Sequence, residues 1–112
     1  MALRDILERA GFDVVGEAAN GAEAVDKTRT LLPDIVILDV VMPVKTGIDA
    51  AKEISLMKMP LKIVMCSSLG YEPIVEEAMR AGASAYILKP LNEKDVLHAL
   101  SGLDAGGARP GR

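Results

Sequence analysis

A chain of 112 residues makes one small domain, and a composition half hydrophobic but only 3% aromatic leaves Val, Ile, Leu, Met and Ala to build its core. A net charge of −3 offers no basic patch, so nucleic acid is excluded as a partner, and the two Arg of the final Ala-Arg-Pro-Gly-Arg are too few for a binding arm. No apolar run approaches the roughly 18 residues of a membrane span, and Arg4, Asp5, Glu8 and Arg9 exclude a signal peptide, so the expected location is cytoplasmic.

Leu3, Ile6, Leu7 and Ala10 recur at helical spacing, and Gly11 stops them. Phe12 to Val15 reads as a short strand reaching about Glu17. Asn20 is a candidate N-cap for a helix from Ala22 to Leu32, which Pro33-Asp34 ends. Ile35 to Asp39 reads as a buried strand, Met42 to Gly47 as a loop, and Ile48 to Leu56 as an amphipathic helix. Leu61 to Cys66 is the next strand; Cys66, the lone cysteine, excludes a disulfide framework and reads as a small core residue. A helix starts at Glu72-Pro73, with proline in its first turn, and runs to Arg80. Ala85 to Leu88 is a short strand broken by Lys89-Pro90, and Asn92 caps a last helix to about Leu103. His98 stands alone on that helix with no metal-ligand cluster and reads as surface. Residues 104–112 are Gly-rich, lack apolar periodicity and are expected to be a disordered tail beyond a domain at 1–103.

Helices and strands therefore alternate, with four strands in all. Regular alternation implies right-handed crossovers and a doubly wound parallel sheet of the α/β class. No strand precedes the first helix, so the chain reads as beginning inside a unit, with Met1 like an internal methionine.

Three strand ends then converge on one edge of the sheet. Asp39 ends one strand, Ser67 and Ser68 follow the next, and Lys89 ends the last. The carboxyl edge of a parallel sheet is where open α/β folds bind ligands. A carboxylate there can act as a nucleophile toward phosphorus, an ammonium can pair with phosphoryl oxygens, and a hydroxyl can donate to another. Each residue also has a plain structural reading: Asp39 as a strand-end cap, Lys89 as a solvated strand end, Ser67 as a loop hydroxyl on backbone.

The segments Pro33-Asp34-Ile35-Val36-Ile37-Leu38-Asp39, Met42-Pro43 with Gly47, Cys66-Ser67, Ala81-Gly82-Ala83 and Lys89-Pro90 are weak singly and specific together. In that order the chain resembles a two-component response-regulator receiver of the CheY-like, single-domain chemotaxis type, over about Leu3 to Leu103. The resemblance, and not the spacing of the elements, implies a flavodoxin-like fold with strand order 2-1-3-4-5. It implies Asp39 as the phosphoacceptor, modified by a histidine kinase, with Val41 offering a backbone carbonyl to Mg²⁺. Ser67 would be the switch hydroxyl, Tyr86 the aromatic that reports the switch, and Lys89 the phosphoryl-binding lysine, its bond to Pro90 cis. The face around Tyr86 would meet a downstream target, and no enzyme activity is implied beyond metal-dependent self-phosphorylation and self-dephosphorylation.

One part of the pattern is missing. Receivers open with an apolar strand ending in an acidic pair that holds Mg²⁺ with the phosphoacceptor, and no such strand stands in this chain. Mg²⁺ binding and phosphotransfer are therefore expected to be greatly weakened. Glu17, at a strand end, is a candidate substitute. In the family order the missing strand lies between the Phe12 and Ile35 strands, and its loss is comparable with a domain's whole stability of ~5–15 kcal/mol. Three outcomes are expected: the Phe12 strand closes the gap, two chains form a homodimer through exposed edges, or the chain folds poorly.

The leading function is thus a phosphorelay receiver. The alternative is a phosphorylation-deficient receiver fragment acting as a binding module or edge-paired dimer. A flavodoxin-like small-molecule domain would need a phosphate-cradling Gly-rich loop after its first strand, a region this chain lacks.

Overall fold

In the computed structural model the backbone is described for residues 3–107 and the side chains for 3–103. The elements run α1 (Leu3–Arg9), α2 (Gly21–Leu31), β1 (Ile35–Asp39), α3 (Gly47–Leu56), β2 (Lys62–Ser67), α4 (Glu72–Arg80), β3 (Ala83–Leu88) and α5 (Glu93–Gly107). The strands pair in parallel in the order β1-β2-β3, with Asp39 opposite Cys66 and Ser67 opposite Leu88. Register thus brings all three carboxyl ends to one edge.

The caps explain where the helices start. Asn20 Oδ1 accepts from the Glu23 N–H at 2.8 Å, and Thr46 Oγ1 accepts from the Asp49 N–H at 3.1 Å. Asn92 Oδ1 accepts from the Asp95 N–H at 2.8 Å. Each satisfies an orphan donor of a first turn. Tyr71 caps α4 without a side-chain bond, and Pro in the first turn compensates because it has no N–H that needs an acceptor.

Alternation along the strands splits the core into two layers. Ile63 and Met65 of β2 pack with Ala24, Val25, Ala51, Ile54 and Ala78 from α2, α3 and α4. Val64 and Cys66 pack on the other face with Ile6 of α1 and Val96 and Leu100 of α5. Helices on both faces of a parallel sheet are the doubly wound architecture.

The first of three differences from the sequence reading concerns the fourth strand. Residues 12–17 carry no strand ladder, so among the described residues the sheet has three strands. Strand identity depends on a neighbour to bond, and this segment has none alongside it. The second follows from it: the segment does not close onto β1. A cleft of ≈ 500 Å³ lies between them, lined by residues such as Phe12, Val14, Ile35 and Ile37. Packing of α1 against the α5 layer and of α2 against α3 holds the cleft's walls in place without a strand between them. The third is at the end: α5 runs to Gly107, past Leu103, and residues 108–112 of the expected tail lie outside those described.

Candidate functional site

Asp39 is delivered to the sheet edge by a strand that cannot continue. Beyond it the Val40 N–H still bonds the Cys66 carbonyl at 3.0 Å, and the Gly47 N–H closes the loop onto the Val40 carbonyl at 2.9 Å. That closure demands glycine. A Cβ on Gly47 would stand 1.9 Å from the Asp39 carbonyl oxygen, inside any van der Waals contact. The loop also holds Val44 at φ +68°, a conformation that β-branched residues avoid.

The Asp39 carboxylate is about one-third exposed and has two partners. Its Oδ1 accepts from the Val41 N–H at 3.1 Å, and its Oδ2 forms an ion pair with Lys89 Nζ. Lys89 is positioned from β3, where its own N–H donates to the Ser67 carbonyl at 2.9 Å, and the Lys89-Pro90 bond is cis as expected. The hydrogen bond and charge of Asp39 raise the Lys89 pKa above its ordinary value, so the ammonium is firmly protonated. Cys66, beneath Asp39, has its thiol pKa raised by burial first and by the Asp39 charge second. It is a buried core residue, as read from sequence.

Ser67 is 1% exposed, and its Oγ accepts from the Leu69 N–H at 3.0 Å. Half-buried Tyr86 donates its hydroxyl to the Leu69 carbonyl and lies close enough to Ser67 for the two hydroxyls to interact. Leu69 is therefore a backbone node joining Ser67 to Tyr86. No sequence signal marks it, because its side chain takes no part.

Asp39 and Lys89 thus meet as read from sequence, and Ser67 ends the strand between theirs with its hydroxyl turned to the Leu69 N–H. Val41 contributes its N–H to Asp39, and its side chain is exposed. Glu17 does not join them: its carboxylate pairs with Arg4 and its carbonyl accepts from Lys27 Nζ. His98 is exposed on α5. Among the described residues no group of three His, Cys, Asp or Glu could hold a metal ion. A magnesium site wants octahedral oxygen ligands with one or two carboxylates free to bind. Here the single carboxylate already spends one oxygen on Lys89, so the described residues do not fit Mg²⁺ well.

The response regulator receiver domain family matches residues 1–101. The chain belongs to that family. It is 48% identical to the chemotaxis protein CheY of Thermotoga maritima over 101 residues, 90% of this chain and 84% of that protein. It is 44% identical to CheY of Bacillus subtilis with the same coverage. Among solved structures it resembles the CheX–CheY–BeF3–Mg complex from Borrelia burgdorferi, with TM-score 0.87, 35% identity, and 91% and 78% of the two chains covered. The signal receiver domain of the response regulator NarL from Mycobacterium tuberculosis gives TM-score 0.85 at 29% identity, covering 92% and 84%. The fold is accordingly the flavodoxin-like α/β fold of receivers. Among the described residues no helix is long and apolar enough to cross a membrane.

Proposed function

We propose that this chain is a phosphorelay receiver whose phosphoacceptor is Asp39. The observation that carries the reading is the Asp39–Lys89 ion pair at the sheet's carboxyl edge, with Ser67 at the end of the strand between them. An Asp39 carboxylate oxygen attacks phosphorus. The bond from phosphorus to the donor, a phosphohistidine nitrogen of a histidine kinase, breaks, and its electron pair stays on that nitrogen. An acyl phosphate forms on Asp39. Lys89 transfers its ammonium from the carboxylate to phosphoryl oxygens, where a charge-assisted bond is retained.

The Leu69 node supplies a route outward. If Ser67 turns to donate to the phosphoryl group, the Leu69 N–H loses its acceptor. The loop that holds the Tyr86 hydroxyl then shifts, and the face of α4, β3 and α5 changes shape. A target protein reads that face in the cytoplasm. The chain catalyses nothing beyond its own phosphorylation and dephosphorylation. No step is assigned to Mg²⁺, because the described residues hold one carboxylate at the site.

Intact mass after incubation with acetyl phosphate tests the proposal. One phosphoryl group is expected on the chain and none on Asp39→Asn. Equal labelling of both would overturn it. Absence of label on a folded chain would leave the Tyr86 face as a phosphorylation-independent binding module.

A further inference from the structure

Building on the reading of Asp39 as phosphoacceptor, we propose that the first turn of α2 is the backstop of the loop that follows it. Gly21 is then a positioning residue for Asp39, supplied by a helix that contributes no group to the site itself. Gly21 is buried, and a Cβ placed on it would stand 2.1 Å from the Lys45 carbonyl oxygen and 2.7 Å from the carbonyl carbon. Both atoms are backbone, so no side-chain rotation relieves the contact. Gly21 is not among the residues with positive φ. The position therefore demands glycine for close approach of two backbones and not for a special conformation.

Both sides of the contact are held. On α2 a capping box fixes the first turn: Asn20 Oδ1 accepts from the Glu23 N–H at 2.8 Å, and Glu23 Oε1 accepts from the Ala19 N–H at 2.9 Å. On the loop, the Lys45 N–H donates to the Pro43 carbonyl at 2.7 Å and the Lys45 ammonium pairs with Glu53 of α3. Thr46, the next residue, caps α3. Val44 holds its positive φ in this loop, and such a conformation persists only where the surroundings over-determine it. Residues 41–46 are thus gripped at the Val40–Gly47 neck and again at Gly21. Inside that span lies the Val41 N–H that donates to Asp39 Oδ1 at 3.1 Å. With Oδ1 on Val41 and Oδ2 on Lys89, the rotation of the carboxylate follows the seat of the loop. A methyl at position 21 must drive the Lys45 carbonyl back by about 1 Å, and displacements of that size cost up to ~100-fold in rate.

The test uses the full chain and two readouts. Without a phosphodonor, Asp39→Ala removes the acceptor and shifts the Val41 amide resonance in the NMR spectrum. In a Gly21→Ala background the same substitution should move it less than about half as far. With acetyl phosphate, the initial labelling rate per folded chain should fall about tenfold in Gly21→Ala. Asn20→Ala loosens the same turn without adding bulk. It should act in the same direction by less, and it decides the matter where Gly21→Ala fails to fold. Arg29→Gly weakens α2 at an exposed position in its last turn and should leave both readouts unchanged. An equal Val41 shift in the native, Gly21→Ala and Asn20→Ala backgrounds would overturn the assignment. So would an Arg29→Gly effect as large as that of Gly21→Ala. If no variant and no native chain takes label, the phosphoacceptor reading fails, and the Val41 shifts still decide the contact.

Discussion

The central strand of this sheet and its β1 edge are built to different standards. In β2, Ile63 to Ser67 are all buried, bonded on both sides and covered by helices on both faces. In β1 only Leu38 is buried, and Ile35, Val36 and Ile37 remain half-exposed along an open cleft. The functional groups sit across this divide: Ser67 ends the well-packed β2, whereas Asp39 rides on the half-open strand and the exposed Lys89 follows β3. Asp39 keeps its place because its strand end is pinned from β2 and by Gly47, not because β1 is well covered.

Cavity cost should separate the two halves most strongly. Met65→Ala removes a side chain with no exposure and is expected to lose about 2–4 kcal/mol in urea unfolding. Ile37→Ala, lining the cleft, should lose about half as much. Equal losses would show that the cleft is closed in solution.

The pin itself comes next. Gly47→Ala should cost at least about 2 kcal/mol, because the added methyl meets backbone and not a yielding side chain. Val44→Gly in the same loop should act in the opposite direction. Relieving a positive φ at a β-branched residue is expected to gain about 0.5–1 kcal/mol. A loss there would show that the loop does not hold this conformation.

How much of this was legible in sequence follows the same divide. Ile35–Asp39 and Glu72–Arg80 were readable to the residue because apolar runs, caps and breakers are local signals. The convergence of the strand ends that carry Asp39, Ser67 and Lys89 was readable because parallel alternation alone places them on one edge. The fate of residues 12–17 was not, since β-branched composition favours a strand only where a partner strand exists. Leu69 was invisible because its contribution is backbone, and Val44 because nothing in a valine announces a left-handed turn. Thr46 was a signal overlooked: a threonine before Gly47-Ile48 with Asp49 following has the composition of a helix start.

The weakest effect is electrostatic. Asp39 raises the Lys89 pKa, so the pair's stabilisation is fully present below the ordinary lysine pKa of about 10.4 and is lost as pH rises through the higher folded value. Both side chains are about one-third exposed, which limits the contribution to less than about 1 kcal/mol. The stability gap between the chain and Lys89→Met should therefore be flat from pH 7 to 9 and shrink above roughly pH 10.5. A gap that grows with pH would contradict the assignment.

The functional reading stands or falls on Asp39 taking the phosphoryl group. Borohydride reduction after acetyl phosphate treatment converts an aspartyl phosphate to homoserine, and peptide mapping then reads its position. Homoserine at position 39 alone is the predicted result. Homoserine at Asp34 or Asp49, or phosphate retained on a serine, would contradict it.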